Sequence, residues 1–369
     1  MRLTDIENLD WDFNISSSDP LSGIHPYPAK FIPEIPGLLL DTLDIPQGSV
    51  VLDPFCGSGV TLVESQKRGL ESVGIDINPI ACLLSEVKTK PLPLKTREVA
   101  DSIINTCSSH IGPIYIPPIP NLDHWFKKDI QEALALLIFE INKLDDSVVK
   151  NALRLCFSSI VVKVSNQDSD TRYAAVDKKW VKEDVYAFFT QSVTRLVKIK
   201  RNMTISNTPV TVLKKSSLDL QGKDFDKKIG IVITSPPYPN AYEYWLYHKY
   251  RMWWLGFDPI DVKEHEIGAR AHYFKKNHQT IDDFIQQMET LFESFKLLCI
   301  KNAYVCFVIG RSKIHGEIIE NEKLIQSIGE NKGFSHITTI KRTIRSSRKS
   351  FNLSHARIKE EYIVILQNK

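Results

Sequence analysis

The sequence predicts an α/β fold, with one open seven-stranded sheet interrupted by a helical insertion. Three observations predict this class. Short apolar runs recur along the chain and several end at acidic or turn residues, the first two runs are joined by a segment with helical spacing, and the middle of the chain changes to long helical periodicity. At 369 residues the chain is long enough for one large domain with an insertion, or for two domains.

The first two predicted strands set the direction of the sheet. Residues 49–52 lead into Asp53 and residues 72–75 lead into Asp76, while the segment between them has helical spacing and ends at Gly69. A strand, a helix and a strand at this distance indicate a βαβ unit and therefore a parallel sheet. The other predicted strands are 209–213, 230–233, 303–309, 336–340 and 362–366, and the last two are close enough to form a hairpin.

The central region, 96–205, is predicted to be the helical insertion. Proline-rich segments at 90–94 and 113–120 lie on either side of its beginning. Three helices are predicted at 129–144, 148–160 and 183–197, with a polar loop at 165–173. The sheet domain is then built from two parts of the chain, 1–95 and 206–369.

Composition and charge exclude several classes of protein. Hydrophobic content of 43% and charged content of 25% are ordinary for a globular protein. The longest apolar run, 133–139, is far shorter than the roughly 20 residues of a membrane span, and the N-terminus lacks the apolar core of a signal peptide. We therefore expect a cytoplasmic protein. The six cysteines form no C-x-x-C pair, which predicts reduced, mostly buried thiols and no metal site.

A glycine-containing turn, DPFCGSGVT (53–61), follows the first predicted strand. Asp53 ends the strand, and Gly57 and Gly59 precede a helix, which describes a tight turn where backbone comes close to a ligand. Leu62 stands where the third glycine of a dinucleotide-binding fingerprint should be, and no Gly-Lys-Ser/Thr of a P-loop follows. The turn is therefore not expected to bind a pyrophosphate.

A carboxylate ends the second predicted strand, in the segment GIDINP (74–79). Asp76 in that position can bind both hydroxyls of a ribose. A glycine turn together with a ribose-binding acid, without a phosphate cradle, fits an adenosine cofactor that carries no phosphates. S-adenosylmethionine is the obvious candidate.

The third motif is ITSPPYP (233–239), where an apolar strand ends on two prolines and an aromatic ring. Proline fixes φ and has no N–H, and Pro237 also restricts Pro236 to an extended conformation. The segment is predicted to be a stiff exit from the sheet whose carbonyl groups have no strand to join.

Together, DPFCGSGVT, GIDINP and TSPPY resemble the amino-group DNA methyltransferases, which act on cytosine-N4 or adenine-N6. HPYPAKFIP (25–33), the segment 240–268, GRS (310–312) and EEYIVIL (360–366) resemble one branch of that family. The resemblance implies a Rossmann-like methyltransferase sheet, with the insertion as a candidate target-recognition region. It implies double-stranded DNA as partner, and a cognate restriction nuclease is a candidate second partner.

The resemblance also implies roles for matching residues. The cofactor-binding residues would be Lys30, Phe31, Asp53, Phe55, Gly57, Gly59, Asp76 and Asn78, with Asp76 on the ribose, Asn78 near the adenine, and Lys30 and Phe31 closing the methionine side. One segment departs from the family pattern, because 213–220 has serines where relatives commonly have Gly-Asp. Asp219 is the candidate replacement for the adenine contact normally made there.

The catalytic residues implied by the resemblance are Ser235, Pro236, Pro237 and Tyr238. The Ser235 hydroxyl and the Pro236 carbonyl would accept the two N–H groups of the target amine, and Tyr238 would stack on a base that has left the duplex. This chemistry requires neither a metal nor a covalent nucleophile. Serine at 235 favours cytosine-N4; adenine-N6 methylation, an RNA or protein methyltransferase and an inactive nucleic-acid-binding subunit are the alternatives.

Two further interpretations concern a cysteine and a basic segment. Cys56 is expected to be a small packing residue, because enzymes that methylate carbon 5 of cytosine carry their cysteine in a Pro-Cys dipeptide and none occurs here. Net charge is only +3, but basic residues cluster at 195–201 and 341–349. Arg342, Arg345 and Arg348 are the candidate DNA-binding residues.

Overall fold

The computed structural model describes residues 3–13, 19–28, 31–203, 206–239, 243–274, 279–314, 317–343 and 360–369. Its strands are β1 (Val50–Asp53), β2 (Ser72–Asp76), β3 (Gln167–Ser169), β4 (Arg172–Ala175), β5 (Val210–Lys214), β6 (Ile229–Thr234), β7 (Cys299–Gly310), β8 (Ser312–Ile314), β9 (Glu317–Ile319), β10 (Phe334–Thr343) and β11 (Glu360–Asn368).

Seven of these strands form one sheet in the order β10-β11-β7-β6-β1-β2-β5. The five neighbouring strands β7, β6, β1, β2 and β5 are parallel to one another. Strand β11 runs antiparallel to both of its neighbours, β7 and β10. All seven predicted strands are confirmed, as is the antiparallel pairing of the last two. The α/β fold class is correct.

Helices surround the sheet. They are α1 (Glu34–Thr42), α2 (Val60–Lys67), α3 (Pro79–Thr89), α4 (Thr96–Ser108), α5 (Leu122–Trp125), α6 (Lys128–Asn142), α7 (Ser147–Val164), α8 (Lys182–Arg201), α9 (Tyr244–Trp254), α10 (Pro259–His265), α11 (Arg270–Phe274), α12 (Ile281–Leu298) and α13 (Asn321–Asn331). Within the described residues, none of these helices is both long and apolar enough to cross a bilayer.

The central strands are buried on both faces, as a parallel sheet between helical layers requires. Successive residues point to opposite faces, so Val51 packs with α1 on one side while Leu52 packs with α12 on the other. The same alternation places Ile231 with Val51 and Val232 with Leu52. These apolar runs are why the strands could be recognised in the sequence.

The insertion contains the three predicted helices as α6, α7 and α8, preceded by α4, which was not predicted. Their apolar faces share one hydrophobic core with α3 and α9, through residues such as Leu84 and Trp254. The helices therefore pack directly on elements that flank the candidate site. The domain boundaries at 95/96 and 205/206 stay a prediction.

The predicted polar loop at 165–173 includes most of a short β-hairpin, β3 and β4. Two side-chain contacts attach it to α9: the Tyr173 phenol donates to the Leu246 carbonyl, and Asp170 pairs with the buried Arg251 guanidinium. The hairpin is thus anchored to the helix that begins shortly after the proline motif.

The order of the strands creates a crevice beside β1. From β1 the chain proceeds to β2 and β5 on one side, and then returns to β6 on the other. Such a reversal opens a crevice at the carboxyl ends of the two strands that flank it, and ligands bind there in open α/β sheets. Here those ends are Asp53 of β1 and Thr234 of β6.

Candidate active site

The loop between β1 and α2 carries the two glycines predicted to line a cofactor. Gly57 and Gly59 have φ angles of 48° and 75°, in the left-handed region that other residues rarely adopt. A Cβ atom on Gly59 would lie 2.6 Å from the Ser85 hydroxyl oxygen of α3, so this position also requires glycine for packing. The turn keeps its shape only with glycine at both places.

Two polar side chains of α3 hold this turn. Ser85 Oγ donates to the Gly57 carbonyl at 3.1 Å, and the buried Lys88 ammonium donates to the Ser58 carbonyl at 2.7 Å. Neither residue was among the predicted site residues. The available signal was their spacing of three positions on one face of an otherwise apolar helix, which puts both side chains on the same neighbour.

Asp76 connects the end of β2 to the glycine turn. One carboxylate oxygen accepts from the Gly57 N–H at 2.9 Å and the other accepts from the Asn78 N–H at 2.8 Å. Burial raises the pKa of Asp76 to about 6, against the lowering effect of these N–H donors. The carboxylate is therefore oriented by backbone N–H groups and half-buried at the carboxyl end of β2, the strand next to β1.

Asn78 caps the helix that follows. Its side-chain oxygen accepts from the Ile80 N–H at 2.9 Å, which is the usual role of asparagine before a helix. Its Nδ2 is buried and has no partner within the described residues. A fixed carboxylate beside an unpartnered amide donor fits an adenosine, because the ribose offers hydroxyl donors and the adenine ring offers nitrogen acceptors.

A hydrogen bond joins the glycine turn to the proline motif. The Thr234 hydroxyl, at the end of β6, donates to Asp53 Oδ1 at 2.7 Å, and the same oxygen accepts from the Phe55 N–H at 3.1 Å. Burial raises the pKa of Asp53 to about 6, although these donors lower it. Thr234 was not among the predicted site residues. Its place one position before Ser235 was the only sequence signal.

Residues Ser235, Pro236, Pro237 and Tyr238 leave the sheet immediately after this bond, and we call them the proline corner. Ser235 is partly exposed. Within the described residues, no hydrogen bond reaches the Pro236 carbonyl. Tyr238 packs beside Phe55 against the α12 side of the core, with its phenol near Ser235 and the Gly310 backbone. Burial raises the pKa of that phenol well above its ordinary value.

The HPYPAKFIP segment reaches the glycine turn through Tyr27. A Cβ atom on Gly57 would lie 3.4 Å from the Tyr27 hydroxyl oxygen, and the Tyr27 ring lies 5.8 Å from the ring of Tyr244 on α9. The residues predicted in this segment were Phe31 and Lys30. Phe31 packs against the α1 side of the core, and Lys30 lies outside the described residues. Their predicted roles stay predictions.

The segment that departs from the family pattern supports the turn through a serine. The buried Ser217 hydroxyl donates to the Pro54 carbonyl, between Asp53 and Phe55. Asp219, the predicted replacement for the adenine contact, is exposed. Ser217 therefore supports the backbone at the beginning of the glycine turn.

Cys56 behaves as a packing residue. Its thiol is buried, and burial raises its pKa well above the ordinary value, so the reactive thiolate is disfavoured. The other five cysteines are also free and buried. Across the described parts of the chain, no group of three or more His, Cys, Asp or Glu side chains is arranged to hold a metal ion.

The prediction that Arg342 contacts DNA is wrong, because its side chain is buried and paired within the protein. Pairing of β10 with β11 places Arg342 opposite Glu361, and the two side chains form an ion pair at 2.7 Å. The Arg342 side chain also donates to the Trp11 carbonyl at 3.1 Å and is 4% exposed, so it holds the sheet edge to the N-terminal segment. Arg345 and Arg348 lie outside the described residues.

Comparison with known proteins agrees with this arrangement. Residues 5–86, which contain the glycine turn and Asp76, match a family model for N6 and N4 methyltransferases described as DNA methylase. The chain is 29% identical over 250 residues to the type II methyltransferase M.MvaI of Kocuria varians, covering 62% of this chain and 55% of the relative. Over these regions the chain is similar to the amino-group DNA methyltransferases. The family model and the methyltransferase relatives support S-adenosylmethionine as the methyl donor, which is the cofactor that the sequence predicts.

Two other relatives of this chain are type II methyltransferases. M.MjaII of Methanocaldococcus jannaschii is 38% identical over 104 residues, covering 26% of this chain and 19% of the relative. M.BsoBI of Geobacillus stearothermophilus is 23% identical over 272 residues, covering 64% of this chain and 53% of the relative. The chain thus spans about half the length of M.MvaI and M.BsoBI, and less of M.MjaII.

Proposed function

We propose that this protein transfers a methyl group from S-adenosylmethionine to the exocyclic N4 amine of cytosine in a flipped-out base of double-stranded DNA. The observation that carries the proposal is the Thr234–Asp53 hydrogen bond of 2.7 Å, which joins the end of β6, immediately before the proline corner, to the glycine turn at the end of β1. The names of the relatives, type II methyltransferases, further support a DNA substrate in a restriction-modification system. A cognate nuclease is the proposed partner of such a system.

The proline corner is proposed to activate the target amine for methyl transfer. An exocyclic amine is a poor nucleophile because its lone pair is delocalised into the base ring. Ser235 Oγ and the Pro236 carbonyl are proposed to accept its two N–H groups, which draws the nitrogen toward tetrahedral geometry and localises the lone pair. S-adenosylmethionine, when bound, supplies an electrophilic methyl carbon on a sulfonium. The rings of Pro236 and Pro237 lie on either side of the Pro236 carbonyl and keep its orientation fixed. A fixed orientation can remove several kcal/mol from the barrier.

The other residues of the site have proposed roles in binding. Asp76 holds the ribose hydroxyls and Asn78 donates to the adenine, while Gly57 and Gly59 let the cofactor approach the backbone. Phe31 and Lys30 are retained as the methionine side of the pocket. Tyr238 is proposed to stack on the flipped base, since its ring is held between the core and the crevice.

Serine at position 235 favours cytosine over adenine as the target. A neutral hydroxyl can accept from the amine and also donate to the neighbouring N3 acceptor of cytosine, whereas a carboxylate can only accept. Adenine-N6 methylation is the alternative, because adenine also carries a ring acceptor beside its amine. An RNA methyltransferase is less favoured, because the RNA and protein enzymes resembling this family commonly carry Asn or Asp before Pro-Pro-Tyr.

Mass spectrometry of modified nucleosides tests the proposed target. DNA from a methylation-free host that expresses the protein is expected to contain N4-methylcytosine, while the same host expressing Ser235→Ala yields little or none. N6-methyladenine alone would overturn the cytosine assignment. Absence of both modified bases, with S-adenosylmethionine binding intact, would favour RNA as substrate or an inactive subunit, and analysis of total RNA separates those two.

Arg345 and Arg348 remain proposed phosphate contacts. Replacing both with glutamine should weaken binding to every DNA sequence. The decrease of log K with log salt should become less steep by about 1.8, or about 0.9 per lost phosphate contact. Lys301→Gln is the matched control, because Lys301 is exposed near the amino end of β7, away from the crevice. A slope that equals the wild-type value in the double variant would remove both arginines from the DNA surface.

A further inference from the structure

The segment 266–268, between α10 and α11, is buried although it belongs to neither helix. Gly268 has a φ of 72°, and a Cβ atom there would lie 2.5 Å from the Tyr238 carbonyl oxygen and 3.0 Å from the Tyr238 carbonyl carbon. The next nearest atom, at 3.5 Å, is the Pro237 carbonyl carbon. Gly268 therefore lies directly against the backbone of the proline corner, which cannot move aside as a flexible side chain could.

Glu266, two residues earlier, contacts the other side of the same loop. Its two carboxylate oxygens accept from the Tyr244 N–H at 2.8 Å and the Trp245 N–H at 2.9 Å, in the first turn of α9. The first N–H groups of a helix have no partner within the helix, and Glu243 at the N-cap supplies no side-chain bond. Glu266 therefore caps α9 from a different element, with a side chain that is nearly buried.

Ile267 completes the attachment. Its side chain is buried in the hydrophobic core against which Tyr238 and Phe55 also pack. Three consecutive residues thus reach the proline corner, the core beneath Tyr238 and the start of α9. These contacts fall on both sides of residues 239–243, the connection from the corner to the helix.

We propose that the segment 266–268 is a positioning element, in which Gly268 and Glu266 set the orientation of the proline corner relative to α9 and thereby the position of the two acceptors for the target amine. The inference rests on the proposed function, since it assigns the segment to the methyl-transfer step. Neither residue touches the amine in this role, and the cofactor contacts come from the ends of β1 and β2.

Gly268→Ala is the decisive variant. The added methyl group must displace the Tyr238 carbonyl by roughly 1 Å, and a misplacement of that size can cost about 100-fold in rate. With genomic DNA from a methylation-free host and tritiated S-adenosylmethionine, kcat should fall by about 10-fold to 100-fold. The dissociation constant for S-adenosylmethionine, measured by calorimetry, should stay within about twofold, because the cofactor turn is on other elements.

Gly69→Ala is the matched control. Gly69 has a φ of 68°, close to that of Gly268, but a Cβ atom there would meet no atom within 4 Å. Both variants place alanine at a similar positive φ, and only in Gly268→Ala does the added methyl group press on the proline corner. The control should keep kcat within about twofold of the wild type.

Glu266 gives a second test if Gly268→Ala unfolds. Glutamine keeps one of the two acceptors and alanine keeps neither, so kcat should decrease in the order wild type, Glu266→Gln, Glu266→Ala. Hydrogen exchange in the peptide that spans 236–245 should be faster in Glu266→Ala than in the wild type or Gly69→Ala, because the Tyr244 and Trp245 amides lose their acceptors. This readout does not depend on activity.

Different outcomes separate the two proposals. An inactive wild-type enzyme would contradict the proposed function, and the hydrogen-exchange result would still report on the segment. An active wild-type enzyme with equal kcat in Gly268→Ala and Gly69→Ala would overturn the positioning role alone. So would a loss that appears only in cofactor affinity, or unchanged exchange in Glu266→Ala.

Discussion

Replacing Ser235 with alanine is expected to lower the rate of methyl transfer by about 100-fold or more at saturating cofactor and DNA, as removal of one preorganised hydrogen-bonding group does in other enzymes. The hydroxyl stands at the exit of β6, one residue after the bond between Thr234 and Asp53. Alanine leaves that bond in place, so the cofactor turn should keep its shape. The affinity for S-adenosylmethionine should remain near the wild-type value, since the lost contact belongs to the transition state.

Tyr238 provides the matched pair for this experiment. Tyr238→Ala removes the ring proposed to stack on the base and should also lower the rate strongly, whereas Tyr238→Phe keeps the ring and should retain most activity. Single-turnover kinetics and cofactor calorimetry on the same preparations separate the two effects. Loss of cofactor binding with normal turnover at saturation, in either Ser235→Ala or Tyr238→Ala, would mean that the proline corner is not the amine site.

Replacing Asp76 with alanine is expected to weaken S-adenosylmethionine binding by about 1–3 kcal/mol, or roughly 5-fold to 150-fold, because the ribose hydroxyls lose their acceptor. The structure adds a second cause. The same carboxylate accepts from the Gly57 and Asn78 N–H groups, so its removal also loosens the turn. Asp76→Asn keeps the size of the side chain and part of this bonding, and it should therefore lose less. Unchanged affinity in a folded Asp76→Ala variant would contradict the placement of the ribose.

The raised pKa of Asp76, about 6, gives this prediction a pH dependence. The carboxylate is ionised above pH 7 and takes up a proton as the pH falls through 6, so it loses acceptor capacity and cofactor affinity should decline below about pH 6. In the unliganded protein, the raised pKa of Asp76 adds to the free energy of unfolding at low pH. That contribution is fully present below the ordinary pKa of an aspartate and is lost as the pH rises through 6. In Asp76→Asn, cofactor affinity should decline less with falling pH than in the wild type. The decline that is left should come from Asp53, whose pKa is also raised to about 6.

The seven strands could be predicted because each is a local property of the sequence. A strand buried on both faces needs several consecutive apolar residues, and a few positions suffice to recognise it. The glycine turn and the proline corner are local for the same reason, since φ restrictions act on single residues. The predicted loop at 165–173 includes most of a hairpin because its anchors, Leu246 and Arg251, lie more than 70 positions away.

Arg342 illustrates the limit of reasoning from charge alone. In sequence it belongs to a run of basic residues that is typical of a phosphate-binding surface. Strand pairing sets Glu361 opposite it, and the Trp11 carbonyl covers its other side, so the charge is buried and paired. Lys200 behaves similarly, since its ammonium donates to two carbonyl groups at the end of α3. A basic run does not reveal which of its members face inward.

The strands and the three methyltransferase-like motifs could be recognised in the sequence because each is a run of neighbouring residues. How those motifs are joined and braced depends on contacts between elements that are far apart in the chain. Thr234 reaches Asp53 across 181 positions, and Ser85 and Ser217 support the turn from other elements. The contact of Gly268 with Tyr238 likewise exists only after the chain has folded back. Hydrogen bonds and close approaches depend on distance in space, which the spacing of residues along the chain does not encode.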